Sequence, residues 1–259
     1  MAFFQIEYSS DVLGQYRQVD VIYPDRDQIA ETGSDTDIPV LYLLHGMGAT
    51  IILGLSVPIY SAPSKTNIIV IMPNSENGWY TNTNYGVRYY DAIAKELPQV
   101  MQRFFPSMTK KRKKTFIAGL SMGGYGSFKL ALTTNNFACA GSFSGALGLS
   151  AEMITDETSE SKEYWQGVFG DLEGKDIEQH KLLNLAKQHD KKTKFFAWCG
   201  LEDFLFDSQD KAVADLKALG LDIDYRTDHG RHEWYYWEKQ LEAYLEWLPI
   251  NYIKEERLS

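Results

Sequence analysis

Cysteine and positive charge are scarce in this sequence. Its 259 residues include only two cysteines, and 35 acidic against 26 basic residues give a formal net charge of −9. Two cysteines cannot build a disulfide framework, and because Cys139 and Cys199 stand in apolar runs we expect buried thiols in a reducing compartment. Neither cysteine has partners at zinc-site spacing, so no metal site is expected. A negative chain is repelled by phosphate backbones and anionic lipid, which argues against nucleic-acid and membrane binding.

The sequence also lacks an unbroken hydrophobic segment of membrane-spanning length. Ile38–Ser64 carries no charge, counting His45 as neutral, but prolines and glycines interrupt it six times. A transmembrane helix needs about 20 consecutive apolar residues, so we interpret this stretch as a strand, a glycine loop and an apolar segment. Met1–Ser10 has no basic region followed by an apolar one, which predicts that a secretory signal is absent.

A regular alternation of strand and helix patterns is present instead. Short apolar runs, typical of strands covered on both faces, alternate with segments of helical spacing. Two early segments with alternating polarity, Phe3–Tyr8 and Tyr16–Tyr23, predict an antiparallel pair at a sheet edge. The whole pattern predicts an α/β fold, a mostly parallel central sheet with helices on both faces. The remaining predicted strands are Val40–Leu44, Ile68–Met72, Thr115–Ala118, Ala138–Phe143, Lys194–Cys199 and Leu221–Arg226, and the predicted helices are Tyr89–Phe105, Tyr125–Leu132, Ile177–His189, Ser208–Leu219 and Trp234–Leu248.

No internal repeat and no linker rich in proline, glycine or serine divides the chain. We therefore expect residues 1–259 to form a single domain, a size that α/β folds commonly reach. Residues 147–174 are polar and irregular, which makes them the candidate for a cap or insertion over an active site. A plain surface excursion is the alternative reading of the same segment.

A Gly-x-Ser-x-Gly motif lies between a predicted strand and a predicted helix. It runs from Gly119 to Gly123 with Ser121 at its centre, and Gly124 follows. A serine on a sharp strand-to-helix turn needs small neighbours so that the turn can close, and the turn then exposes the hydroxyl beside a helix N-terminus. The motif alone is common, but its position after Thr115–Ala118 is the context that it requires. It predicts Ser121 as a nucleophile on an α/β-hydrolase fold.

A serine nucleophile needs a base to take its proton, and in this fold the base is a histidine that comes last in the chain. Four histidines follow Ser121. His180 and His189 lie in a charged, helix-like segment, and we expect them to be solvated. His229 and His232 stand in the loop before the last predicted helix, where the base belongs. The tight loop between Gly230 and Trp234 favours His232, with His229 as the alternative.

The orienting acid is expected after the strand Lys194–Cys199, because the chain order is serine, acid, histidine. The loop there offers Asp203 as the preferred residue, with Glu202 and Asp207 as alternatives.

Two backbone N–H groups are needed to stabilise the oxyanion that forms during acyl transfer. The first is expected at Met122, directly after the nucleophile. The second is expected at Met47, in the glycine loop after Val40–Leu44, with Gly46 beside it as a candidate for the substrate pocket. His45 precedes the nucleophile in the chain, so we expect it to support this loop rather than to act as a base.

Several motifs, taken in order, resemble those of the tributyrin esterases of lactic-acid bacteria and streptococci, within the wider esterase D and S-formylglutathione hydrolase group. The resemblance covers nearly the whole chain. It implies a short-chain carboxylesterase, a cytoplasmic location, no cofactor, and the triad Ser121, Asp203 and His232. The motifs that carry it are Leu43–Met47, Asn77–Tyr80, Gly119–Gly126, Gly200–Leu205 and Gly230–Trp237.

The same resemblance leaves the substrate open. Thioester hydrolysis, as in S-formylglutathione hydrolases, and the cleavage of acetylated sugars or feruloyl esters are alternatives to short acyl esters. Trp79 and Trp234 are candidates for pocket walls, with ordinary core packing as the alternative. Ala49–Gly54 is apolar where the family usually carries a polar stretch ending in tryptophan, so we expect the region 49–60 to form an acyl-pocket wall, a homo-oligomer contact or ordinary core. The expected partner is a small-molecule ester.

Overall fold

A central eight-stranded sheet organises the molecule. The structure, a computed structural model, describes residues 1–25, 34–48, 66–150, 154, 160–190 and 192–254. The strands of the sheet, numbered along the chain, lie side by side in the order β1-β2-β4-β3-β5-β6-β7-β8. β1, β2 and β4 are antiparallel neighbours, while every pair from β4 to β8 is parallel. The predicted α/β architecture with an antiparallel edge pair is therefore confirmed. The strands are β1 Ala2–Ser10, β2 Gln15–Tyr23, β3 Val40–Leu44, β4 Ile69–Pro73, β5 Thr115–Leu120, β6 Cys139–Phe143, β7 Lys194–Gly200 and β8 Asp222–Asp228.

The two faces of the sheet carry separate apolar cores. Along β3, Val40, Tyr42 and Leu44 belong to one core, while Leu41 and Leu43 belong to the other, as the alternation of side chains along a strand requires. The second core is closed by the last helix, and the first is covered by the others, so helices lie on both faces as predicted. The helices are α1 Tyr89–Asp91, α2 Leu97–Phe104, α3 Met122–Thr133, α4 Lys162–Phe169, α5 Lys175–Glu178, α6 Leu182–Ala186, α7 Phe206–Ala218 and α8 Trp234–Trp247.

One predicted helix is interrupted, as its proline suggests. A π-helical segment, Ala92–Glu96, joins α1 to α2. Pro98 stands at the start of α2, directly after this segment, and its missing N–H removes one donor from the helical hydrogen bonds there.

The prediction of one helix over Ile177–His189 is wrong. The segment contains two short helices, α5 and α6, with His180 between them. His180 is 9% exposed, with its Nδ1 3.2 Å from the Thr81 hydroxyl, and the His189 side chain is 3% exposed. The expectation that both histidines are solvated is therefore also wrong, because the charged neighbours that suggested a solvated helix face the solvent while the rings turn inward.

Two predicted features fall wholly or partly outside the described residues. The apolar segment Ala49–Gly54, and with it all of 49–60, lies outside them, and so does part of the candidate insertion 147–174. Within the described ranges, no helix combines the length and the apolar character that crossing a bilayer would take.

Candidate active site

Ser121 occupies a sharp turn between β5 and α3. Its backbone has φ 52° and ψ −121°, a left-handed conformation that a residue other than glycine rarely adopts. The Ser121 N–H donates to the Phe143 carbonyl at 3.0 Å, which ties the turn to β6. A Cβ on Gly123 would lie 2.4 Å from the Leu44 carbonyl oxygen, so α3 can begin beside β3 only with glycine at this position. Sequence and fold thus agree on a serine presented at the N-terminus of a helix.

Three side chains meet at this turn. The His232 Nε2 lies 3.0 Å from the Ser121 Oγ, and the His232 Nδ1 lies 3.0 and 3.1 Å from the two carboxylate oxygens of Asp203. Asp203 comes from the loop after β7 and His232 from the loop before α8. The Asp203 side chain is fully buried, whereas that of His232 is 20% exposed. A serine hydroxyl, a histidine that the solvent can reach and a buried carboxylate are thus joined by hydrogen bonds in that order, which is the arrangement that serine hydrolases use.

The Asp203 carboxylate is held in its ionised form. Burial opposes the charge, but the hydrogen bond and charge of His232, the Leu205 N–H at 3.0 Å and the Ser144 hydroxyl outweigh burial and keep the pKa of Asp203 below its ordinary value. An ionised carboxylate fixes the Nδ1–H tautomer of His232 and stabilises the imidazolium that forms when Nε2 takes a proton.

The alternative acids and the alternative base lie apart from this chain of hydrogen bonds. Glu202 accepts hydrogen bonds from His229 Nδ1 and from the Gly230 N–H, each at 2.7 Å. The His229 side chain is 90% exposed, and Asp207 is exposed in the first turn of α7. Glu202 instead links the loop after β7 to the loop that carries His232.

The glycine loop after β3 approaches Ser121 closely. A Cβ on Gly46 would lie 3.4 Å from the Ser121 Cβ. Met122 opens α3, so its N–H has no acceptor within the helix, and half-buried Met47 follows Gly46 in the same loop. Both predicted donors therefore belong to segments that meet at Ser121.

His45 supports this loop, as the sequence predicts. Its Nδ1–H donates to the Gly46 carbonyl at 2.8 Å, and its Nε2 accepts from the Ser75 N–H at 3.0 Å. Burial lowers the pKa of His45, so the ring stays neutral and can fill both roles. The Tyr80 hydroxyl adds a bond to the His45 carbonyl at 2.9 Å.

The two tryptophans predicted as pocket walls have different surroundings. Trp79 is 4% exposed, and its ring packs within 6 Å of Tyr125, Trp165 and Phe169. Trp234 lines an apolar cavity of about 40 Å³ between α8 and the carboxyl ends of β3, β5 and β6. The lining of this cavity includes Leu43, Leu120, Phe143, Trp234, Trp237 and Leu241.

Sequence reasoning missed three residues that surround Asp203 and His232. The rings of Phe204 and Trp237 lie 4.6 and 4.9 Å from the His232 ring, centroid to centroid. Ser144 directly follows β6, and its hydrogen bond is one of the causes that lower the pKa of Asp203. Phe204 and Trp237 stand within the motifs that resemble the esterases, so adjacency to Asp203 and His232 was an available signal. Ser144 has no such signal, because only the fold brings β6 beside the loop after β7.

The chain is similar to known esterases. Residues 10–248 match the family described as "Putative esterase". An acetyl esterase of Caldicellulosiruptor saccharolyticus is 30% identical over 267 residues, which cover 96% of this chain and 98% of the relative.

Two solved structures from Staphylococcus aureus are similar to the whole chain. A substrate-bound fluorophosphonate-binding serine hydrolase F has a TM-score of 0.82 at 27% identity, and an S-formylglutathione hydrolase has a TM-score of 0.80 at 26% identity. Each comparison covers 95% of this chain and 98% of the other. The chain therefore belongs to the family described as "Putative esterase", and it is a carboxylic ester hydrolase with the α/β-hydrolase fold.

Proposed function

We propose that this esterase hydrolyses short-chain acyl esters through Ser121, His232 and Asp203, by way of an acyl-enzyme. The observation that carries the proposal is the unbroken chain of hydrogen bonds from the Ser121 Oγ through both ring nitrogens of His232 to Asp203. The acetyl esterase relative supports a short acyl group. The resemblance to tributyrin esterases points to the same class of substrate.

The reaction follows from these positions. The Ser121 Oγ attacks the ester carbonyl carbon while the His232 Nε2 takes the hydroxyl proton, and Asp203 stabilises the imidazolium. The Met122 and Met47 N–H groups stabilise the oxyanion. His232 then gives its proton to the leaving alkoxide, which departs as the alcohol and leaves the acyl group on Ser121. Water, activated by the same histidine, releases the acid and restores the serine.

The small cavity beside Leu120 is proposed to hold the acyl chain. Leu120 directly precedes the nucleophile, and Trp234 contributes one wall. A small, closely packed apolar cavity favours a short chain, because a longer chain would have to displace buried side chains.

Replacing the nucleophile tests the proposed chemistry. We expect Ser121→Ala to lower the hydrolysis of p-nitrophenyl acetate and butyrate by at least about 10³-fold, leaving only weak residual catalysis from the oxyanion donors and from binding. Circular dichroism should match the parent protein. A Ser121→Ala protein that keeps the parent rate would refute the assignment.

Widening the cavity tests the acyl pocket. Trp234→Ala should move the chain-length preference toward octanoyl esters, measured as the ratio of kcat/KM for octanoate to that for butyrate. Tyr235→Ala is the matched control, because Tyr235 is the next residue on α8 and is 60% exposed. Equal ratios in the two variants would show that this cavity does not hold the acyl chain.

A thioesterase is the competing candidate, favoured by the similarity to an S-formylglutathione hydrolase. It would use the same three residues, so only substrate comparison separates the two activities. We expect kcat/KM to be higher for p-nitrophenyl acetate than for S-formylglutathione, and the reverse order would favour the thioesterase. Acetylated sugars and feruloyl esters belong in the same panel. A cytoplasmic location and a homo-oligomer stay predictions.

A further inference from the structure

Ser144 occupies a backbone conformation that serine seldom adopts. Its φ is 48°, in the left-handed region, and its side chain is fully buried. Glycine would adopt this φ without steric cost, and Gly145 is the next residue along. The Ser144 N–H is fixed by a 2.8 Å hydrogen bond to the Trp198 carbonyl of β7. A buried serine at a glycine-like position indicates that its hydroxyl has a role there.

Trp237 supplies a donor to that hydroxyl. Its indole Nε1–H donates to the Ser144 Oγ at 3.1 Å, and its ring meets the His232 ring edge to face, with centroids 4.9 Å apart at 88°. Trp237 lies in the first turn of α8 and is 7% exposed. The same side chain therefore contacts the histidine directly and the aspartate through Ser144.

The hydrogen of the Ser144 hydroxyl has one strong acceptor nearby. The Ser144 hydroxyl is among the groups whose hydrogen bonds lower the pKa of Asp203 and the pKa of the Cys199 thiol. Burial raises the pKa of the Cys199 thiol, so the sulfur remains protonated and is a weak acceptor. A carboxylate attracts the hydrogen more strongly. The Glu202 carboxylate, on the same loop as Asp203, turns to His229 and does not compete.

We propose that Ser144 and Trp237 are positioning residues that hold the Asp203 carboxylate and the His232 ring in register with Ser121. This inference rests on the proposed function, because it assigns a purpose to two residues beside its acid and base. The Ser144 hydroxyl donates to Asp203, the Trp237 N–H fixes the rotation of that hydroxyl, and the Trp237 ring closes one side of the imidazole. Ser144 acts through Asp203 and Trp237 acts through the His232 ring, and Trp237 in addition lines the cavity proposed for the acyl chain.

The test compares kcat, KM and the pH profile of kcat/KM for p-nitrophenyl acetate. Loss of the Ser144 hydrogen leaves His232 facing a more fully negative carboxylate, which favours the imidazolium. Ser144→Ala and Ser144→Gly should therefore shift the acid limb to higher pH by about half a unit. They should also lower kcat about tenfold, far less than the ~10⁴-fold that follows replacement of a triad aspartate by asparagine, with KM little changed. Trp237→Phe, which keeps a ring, should give a smaller loss of kcat.

Ser142→Ala is the matched control. Ser142 is equally buried on β6, two residues earlier, and its hydroxyl has no hydrogen-bond partner among the described residues. The concentration of active enzyme is titrated with a fluorophosphonate, so that a loss of folded protein is not mistaken for a lower kcat. Parent values of kcat and an unshifted acid limb in both Ser144 variants would overturn the inference. An active Ser121→Ala protein would instead overturn the proposed function, so the two failures are distinguishable.

Discussion

Gly123 shows how strictly single residues set the geometry around Ser121. A Cβ there would lie 2.4 Å from the Leu44 carbonyl oxygen and 2.7 Å from that of His45. We expect Gly123→Ala to lower the free energy of unfolding by roughly 1–3 kcal/mol, the usual cost of forcing atoms into a packed core. We also expect it to reduce kcat, because α3 must move away from the glycine loop. Urea unfolding and ester hydrolysis measure the two effects.

Gly167→Ala provides the comparison for that substitution. Gly167 lies inside α4, where, among the described residues, a Cβ would meet only the Tyr85 ring at 3.2 Å. Alanine favours a helix over glycine by about 1 kcal/mol, so we expect little change in stability or a slight gain. If both alanine variants changed the free energy of unfolding and kcat equally, the close approach of α3 to β3 would not be the reason for glycine at position 123.

Lys129 is a buried amine outside the proposed mechanism. It lies on α3 with its Nζ 3.3 Å from the His180 Nδ1 and 5.4 Å from the centre of the Tyr125 ring. Burial lowers the pKa of Lys129 to about 7 from its ordinary 10.5. Between these two values the unfolded chain binds more protons than the folded one, so the free energy of unfolding should rise with pH. This single group contributes at most about 1.4 kcal/mol per pH unit.

Lys129→Met should flatten that rise. Urea unfolding between about pH 7.5 and 9, inside the window set by the two pKa values, measures the slope for the parent and the variant. Lys217→Met, which removes an exposed lysine from α7, should leave the slope unchanged. An identical slope in Lys129→Met and the parent would show that Lys129 is protonated in the folded protein.

Residues whose role depends on their neighbours in the chain can be predicted from the sequence more readily than residues whose role depends on the fold. The chain order of Ser121, Asp203 and His232, each beside a predicted strand or helix, was sufficient to predict that the three side chains lie together. Lys129 and Ser144 could not be found in this way. Their surroundings are assembled from segments far apart in the chain, as when His180 meets Lys129 across 51 positions.

At the scale of elements, one carboxylate joins the edge hairpin to the helical layer. Glu96, at the end of the π-helical segment, accepts hydrogen bonds from the Ser10 hydroxyl at 2.5 Å and from the Asp11 and Val12 N–H groups at 2.7 and 3.1 Å. Glu96→Ala leaves these donors of the β1–β2 turn without their acceptor. We expect a loss of roughly 1–3 kcal/mol, with faster amide hydrogen exchange at residues 11–15 than in β5.

Gln99→Ala is the control for that change, because the Gln99 side chain is exposed and, among the described residues, donates only to the Lys95 carbonyl of the preceding π-helical segment. It should leave exchange in the hairpin unchanged. Exchange that rises equally in the hairpin and in β5 after Glu96→Ala would mean that the whole molecule loosens and that no local link has been broken.

The strands were predicted from the sequence more accurately than the helices were. A run such as Val40–Leu44 is buried on both faces, and its composition alone indicates this. The segment Ile177–His189 has helical spacing as well, but its short helices α5 and α6 pack Ile177 and Leu182 into the core on either side of a turn. Spacing cannot distinguish that arrangement from one continuous helix.

For the whole molecule, the alternation along the chain predicted the fold class but not the order of strands. β4 lies between β2 and β3, and nothing in Ile68–Met72 distinguishes it from other buried runs. The site is nevertheless predictable at this scale. Because β3, β5, β7 and β8 are parallel, the loops that follow them gather at one edge of the sheet, which is where α/β folds bind their ligands.

The net charge of the whole molecule bears on which ester it cleaves. A chain of net charge −9 repels anions over about 10 Å at 0.1 M salt, and glutathione thioesters carry a net negative charge. Raising the salt from about 20 to 200 mM should increase kcat/KM for S-formylglutathione about twofold by screening this repulsion. Uncharged p-nitrophenyl acetate should not respond and is the control. A kcat/KM for the thioester that falls with salt would show that the field at the site attracts anions, and it would strengthen the thioesterase alternative.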